Sequence, residues 1–234
     1  MESIQKKSWK NLLGYELCAG LGLGILYPTG IKKPAIRTKN RCETATVLVH
    51  GYMSNRSAFL PLIAYLKFHG VKNIVSFQYD FSGGIEKSAI ELKKFIKEKV
   101  QSPNVNMVCH SLGGVVAQSY IQTLGGNRIV RQLTTIGSPL SGTYNAYWIP
   151  TRVGAELRPN SPLLQRLFRT KSESKNIEIT AIVGDSDNII LPRESAAGEK
   201  TVKIQNTGHL GLLWSPKVMK SILISIQNEQ QAAS

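Results

Sequence analysis

The sequence predicts an α/β fold built on a minimal, mostly parallel sheet of about six strands flanked by helices. Three observations carry that expectation. Short β-branched runs recur from Thr44 onward, helical apolar stripes fill the intervals between them, and 234 residues that are 42% hydrophobic and 19% charged suffice for one sizeable core.

Residues 1–41 stand apart from the rest. Lys6, Lys7 and Lys10 precede residues 12–27, which are apolar except for Glu16, and Pro28, Lys32, Lys33 and Arg37 follow. Residues 17–27 give an uncharged run of only 11, short of the roughly 20 needed to cross a bilayer, so spanning requires Glu16 inside the helix. We expect an uncleaved anchor or interfacial helix. A cleaved signal and an ordinary first element packed on the domain are the alternatives; the lack of a small-x-small site after the apolar run disfavours the signal. Basic residues on both flanks leave its orientation open. The chain is accordingly divided into residues 1–41 and a main domain, 42–234.

The net charge is +14, and residues 1–41 hold eight cationic against two acidic side chains, so the excess is concentrated at the front. Such a balance favours anionic surfaces, phospholipid or nucleic acid. Without finger spacing, an aromatic RNA-binding signature or a dense Lys/Arg run, nucleic acid is set aside in favour of a membrane surface. Cys18, Cys42 and Cys109 are too scattered for a disulfide framework, no CxxC pair suggests zinc, and Cys109, ending an apolar run, is expected to be a buried free thiol.

The expected strands are 45–50, 73–79, 105–110, 130–136, 177–183 and 201–204. Residues 57–68 carry Phe59, Leu60, Leu62, Ile63 and Leu66 at helical spacing, and Ile85, Ala89, Leu92, Ile96 and Val100 repeat likewise. Val218, Ile222, Leu223 and Ile226 share one face of 215–227. The longest interval, 137–176, is rich in Pro, Gly and Arg and is expected to cap a pocket rim.

The chemistry centres on Cys109-His110-Ser111-Leu112-Gly113-Gly114. A serine hydroxyl is a weak nucleophile at neutral pH and needs a base, an acid to orient that base, and donors for the developing oxyanion. A G-x-S-x-G run between a strand and a helix puts the serine on a tight turn that small neighbours permit; here Cys109 stands at the first glycine. The triad partners then follow in the order acid, histidine. Of four histidines only His209 lies after Ser111, which makes it the candidate base. Of three aspartates Asp80 precedes the serine, and Asp185 and Asp187 both follow a strand. Asp187 is chosen because an apolar turn behind it can shield it, with Asp185 the second choice as a turn residue. The oxyanion donors are the backbone N–H groups of Leu112, after the nucleophile, and Tyr52, after the strand that ends in His50-Gly51.

V-L-V-H-G-Y (47–52), C-H-S-L-G-G (109–114), T-I-G-S-P-L-S-G-T (135–143), D-N-I-I (187–190) and G-H-L-G-L-L-W-S (208–215) together resemble compact bacterial triacylglycerol lipases of the α/β-hydrolase superfamily, from about residue 45 to the C-terminus. The resemblance implies an α/β-hydrolase sheet and hydrolysis of a lipid or small-molecule ester through an acyl-enzyme. It implies Ser111, Asp187 and His209 as triad, Tyr52 and Leu112 as oxyanion donors, and no cofactor. The chain is also similar to members with an N-terminal hydrophobic segment, which implies a place at the bacterial inner membrane or cell envelope, with secretion as the alternative. Pro139-Leu140-Ser141, where relatives often carry Pro-His, bears on substrate preference. Trp148, Leu212, Leu213 and Trp214 hint at lipid esters if they border the pocket. A thioesterase or acyltransferase would use the same triad, and a non-catalytic membrane-tethered binding protein is the reading from another class.

Overall fold

The computed structural model describes residues 2–31 and 44–232. In chain order the elements are α1 (Glu2–Ile31), β1 (Ala45–Val49), α2 (Leu60–Phe68), β2 (Ile74–Phe77), α3 (Ile85–Phe95), β3 (Val105–His110), α4 (Leu112–Thr123), β4 (Val130–Ile136), α5 (Arg152–Leu157), α6 (Pro162–Arg169), β5 (Glu178–Gly184), β6 (Lys200–Ile204) and α7 (Pro216–Ala232). The strands form one sheet in the order β2-β1-β3-β4-β5-β6, every adjacent pair parallel. All six expected strands are present, each end within two residues of its expected place. Helices cover both faces, so the strands need not alternate polar and apolar, and β1 reads Ala-Thr-Val-Leu-Val with every residue buried.

Two cores result. Val47 and Val49 of β1 and Met107 and Cys109 of β3 pack with Leu92 of α3 and Val115, Val116 and Ile121 of α4. Leu48 and Val108 point the other way, against Leu62 and Leu66 of α2 and Val218, Ile222 and Ile226 of α7. The apolar stripes read from the sequence are these core-facing faces, and each fully buried Leu or Ile contributes roughly 1.5–3 kcal/mol.

The strand order reverses at β1: the chain moves outward to β2, then returns to place β3 on the other side of β1. In a parallel sheet a crevice opens beyond the C-terminal ends of the strands at such a reversal. His50 and Gly51 follow β1 at this point, and Ser111 follows β3.

Two regions gain detail that the sequence reading did not supply. The interval 137–176 holds α5 and α6, the latter started by Ser161, whose hydroxyl accepts the Leu164 N–H, and by Pro162 in the first turn. Leu212 and Leu213, hints of lipid only if they bordered the pocket, are buried in the second core, and Trp148 is exposed. The basic residues Lys32, Lys33 and Arg37, Cys42 and the expected boundary at 41/42 lie outside the described residues.

Helix α1 runs through Pro28 to Ile31 and includes a 20-residue stretch, Leu12–Ile31, long and apolar enough to cross a membrane. One face nevertheless lies against the rest of the molecule. Leu12 and Ala19 are buried, and a side chain on Gly22 would come within 2.8 Å of the Trp214 ring. Asn55 Nδ2 donates to the Tyr27 carbonyl, and Arg56 donates through Nε to Gly30 and through Nη2 to Thr29, satisfying carbonyls that a helix end leaves unpaired. The opposite face carries Leu13, Leu17, Leu21 and Ile25 at four-residue spacing, 56–77% exposed.

Candidate active site

Ser111 sits between β3 and α4 at φ 52° and ψ −124°, a left-handed turn that non-glycine residues rarely adopt. Its N–H donates to the Ile136 carbonyl at 2.9 Å, which ties the turn to the end of β4. The neighbouring glycines are required by close approach. A side chain on Gly113 would strike the Val49 and His50 carbonyls, one on Gly114 would strike Ser138, and one on Gly51 would lie 2.9 Å from Ser111 Cβ. The loop after β1 therefore passes close beside Ser111, with Tyr52 the residue after Gly51. Leu112 is the first residue of α4, so its N–H lies outside the helical ladder. Cys109, one residue before the turn, points into the first core, where its bulk is packing rather than obstruction, and burial pushes its thiol pKa up.

Asp187 and His209 are brought together. His209 Nδ1 donates to Asp187 Oδ2 at 2.7 Å, with both side chains buried. The other carboxylate oxygen, Oδ1, accepts the N–H groups of Ile189 and Ile190 at 2.8 and 2.9 Å. Burial alone would raise the Asp187 pKa, but these three hydrogen bonds and the nearby imidazole outweigh it and hold the carboxyl below the usual range. With Nδ1–H bound to the carboxylate, neutral His209 carries its lone pair on Nε2, the nitrogen a general base uses. Asp185, the second choice, is exposed, and its carboxylate accepts the Ser186 hydroxyl.

Several supporting residues escaped the sequence reading. Gly137 has φ +55°, and a side chain there would come 3.1 Å from His209 Nδ1 and 3.3 Å from Asp187 Oδ2. Thr143 Oγ1 donates to the Ile189 carbonyl and accepts the Leu191 N–H, while Arg193 Nε donates to the Asp187 carbonyl at 2.7 Å. The segment expected to form a rim thus also braces the acid. His110 is buried, its ring centroid 4.8 Å from that of His209, and its Nε2 faces the His209 carbonyl at 3.4 Å. Burial, aided by the neighbouring His209, lowers the His110 pKa to about 3, and burial lowers that of His50 to about 4 against a hydrogen bond to the Gly51 carbonyl. On the opposite side, the Glu16 carboxylate of α1 accepts the N–H groups of Gly208, Leu210 and Gly211. The signal for Glu16 was its isolation as a charge in an apolar helix.

A cavity of about 1060 Å³, bordered by Leu164, Leu167 and Phe168 of α6 and by Glu178 of β5, includes none of Ser111, Asp187 and His209. Its charged groups are exposed and include the ion pairs Lys171–Glu199 and Lys200–Glu178, and among the described residues that line it there is no buried acid and base to do chemistry. The strand-end turn at Ser111, together with the buried Asp187–His209 pair, is the better candidate on those grounds.

The sequence profile of the palmitoyl protein thioesterase family matches residues 46–179, more than half of the chain. The chain belongs to this family. Solved structures share its architecture: a Bacillus licheniformis lipase in mature form (12% identity, TM-score 0.65, covering 83% of this chain and 95% of the lipase); an α/β-hydrolase enzyme from a lagoon-sediment metagenome from Mar Chica, Morocco (21%, 0.59, 82% and 94%); and the naproxen esterase of Bacillus subtilis (14%, 0.52, 81% and 85%). At these identities the likeness establishes the α/β-hydrolase fold that the motifs led us to expect. Thioesterase-family membership adds that the chain is a hydrolase, and the match covers β1 through the start of β5, including Ser111 but neither Asp187 nor His209.

Proposed function

We propose that this protein is a serine hydrolase that cleaves carboxylic esters of lipid type through an acyl-enzyme, with Ser111, His209 and Asp187 as triad and the Tyr52 and Leu112 N–H groups as oxyanion donors. The observation that carries the reading is the buried 2.7 Å hydrogen bond from His209 Nδ1 to Asp187 Oδ2 in a chain whose strained Ser111 turn opens on the same strand ends.

In the reaction His209 Nε2 takes the Ser111 hydroxyl proton as Oγ attacks the acyl carbon. The carbonyl electron pair moves to oxygen, where the two N–H donors stabilise it. The tetrahedral adduct collapses to the acyl-enzyme as His209 returns the proton to the leaving alcohol. Water then attacks the acyl carbon, giving its proton to His209; the acid departs and Ser111 regains the proton. Asp187 stays ionised throughout and stabilises the imidazolium formed twice in each cycle. No step calls for a cofactor.

The same chemistry serves an acyl thioester, the second reading, and membership of the palmitoyl protein thioesterase family favours it. We also assign α1 to a membrane surface rather than to a span. The outward stripe Leu13, Leu17, Leu21 and Ile25 suits the interfacial region, while the inner face is occupied by the domain along much of its length. The experiment is a chain-length series of p-nitrophenyl esters from acetate to palmitate, run beside acyl thioesters of matched length, on wild type and Ser111→Ala. Ser111-dependent hydrolysis that rises with chain length supports the lipid reading. Faster turnover of the thioesters shifts it to the second reading, and no Ser111-dependent hydrolysis of either series contradicts both.

A further inference from the structure

The N-terminal helix reaches the candidate site through one side chain. Glu16 lies between 192 and 195 residues from its partners, yet Oε1 accepts the N–H groups of Gly208 at 3.1 Å and Gly211 at 2.9 Å, and Oε2 accepts that of Leu210 at 3.0 Å. These donors bracket His209. The two glycines are small for this purpose: a side chain on Gly208 would come 2.8 Å from Glu16 Oε2, and one on Gly211 would come 2.7 Å from the Tyr15 ring. Tyr15 adds a hydroxyl donated toward the Gly211 carbonyl at 3.4 Å, and Gly20 approaches Leu210. From the inner side, His110 faces the carbonyl of His209 itself. The loop that carries His209 is therefore held between α1 outside and β3 inside.

We propose that Glu16 is a positioning residue for His209, so that α1 is a working part of the active site as well as a surface element. This inference rests on His209 being the general base. Three N–H groups converging on one carboxylate fix the loop backbone on both sides of the imidazole, and charge-assisted hydrogen bonds of this kind are stronger than neutral ones. A base must be placed to a fraction of an ångström, and a misplacement of about 1 Å can cost on the order of 100-fold in rate. The isolated acid in an apolar helix, an obstacle to spanning a bilayer, thereby has its partners.

The test uses the full chain in three variants. Glu16→Gln keeps the shape but can offer one oxygen only, turning an amide NH₂ toward at least one N–H donor; Glu16→Ala removes every acceptor; Cys18→Ser, at an exposed position of α1, is the control. Active sites are counted by the final extent of fluorophosphonate labelling, and turnover of p-nitrophenyl butyrate is expressed per labelled site. We expect kcat per site to fall about 10-fold in Glu16→Gln and about 100-fold in Glu16→Ala with KM little changed, Cys18→Ser to match wild type, and the Gly208, Leu210 and Gly211 amides to exchange hydrogen faster in both Glu16 variants. Wild-type kcat per site in Glu16→Ala overturns the proposal. So does a loss of activity matched by an equal loss of labelled sites, which is the signature of a helix that only supports the fold. A wild-type chain that is labelled and active while His209→Ala retains its rate removes His209 as base and takes this inference with it, an outcome distinct from failure of the Glu16 variants alone.

Discussion

Asp187 and His209 share a 2.7 Å hydrogen bond in a setting that leaves each side chain only a few per cent exposed, and the second oxygen of Asp187 is anchored by the Ile189 and Ile190 N–H groups. The acid is thereby fixed to the backbone of its own loop, and the imidazole to the acid. Asn at position 187 would keep the shape but could offer an NH₂ where His209 donates, favouring the wrong tautomer. We expect Asp187→Asn to lower kcat by on the order of 10³–10⁴-fold with KM little altered, measured by steady-state kinetics on a soluble ester.

Gly137 is the narrowest point behind that pair. Alanine there would place a methyl against both His209 and Asp187 and would also occupy a left-handed conformation, costing about 1–2 kcal/mol in the backbone alone. Gly137→Ala should unfold at lower denaturant and lose about 10- to 100-fold in kcat through displacement of the base. Equal loss in Ser138→Ala, whose hydroxyl lies toward Gly114, would argue for a general packing effect instead.

The two other buried histidines make stability depend on pH. His50 and His110 are neutral when folded, with pKa values lowered to about 4 and about 3, whereas the unfolded chain binds protons near 6.5. Depressed folded values mean stability that is fully present above the unfolded pKa and lost as pH falls toward the folded ones. Between about pH 6 and pH 4, each should remove about 1.4 kcal/mol per pH unit. Denaturant titrations across this range should show that slope reduced by about one proton in His50→Gln.

On α1 the outward stripe can be tested separately from Glu16. The pair Leu17→Ser and Leu21→Ser removes two exposed leucines from the face opposite the domain. Each leucine contributes roughly 1.5–3 kcal/mol if buried in an apolar phase, so sedimentation with anionic phospholipid vesicles should fall by at least about tenfold while turnover of a soluble ester is unchanged. Vesicle binding equal to wild type would place the membrane contact elsewhere or remove it.

The sheet was readable because burial on both faces leaves short apolar runs in its strands, such as Val47-Leu48-Val49 of β1 and Met107-Val108-Cys109 of β3, and because the helices between them bury one stripe each. Ser111, Asp187 and His209 stood out as candidates because order and scarcity left few choices. The structure adds that Asp187, not Asp185, meets the imidazole. Helix α6 carried its own start signal in Ser161-Pro162, which a reading of 137–176 by composition alone leaves out. Gly137 and Glu16 were less visible, since their partners lie far away in sequence and become neighbours only when the sheet edge and α1 are assembled. Within α1, five glycines and apolar residues on every side hide the difference between the docked and the outward face.

Intact-mass measurement after treatment of the full chain with a fluorophosphonate asks whether Ser111 is the nucleophile. We expect one adduct, mapped to Ser111 and absent from Ser111→Ala. An adduct of equal extent in Ser111→Ala, or one mapped to another residue, would contradict it.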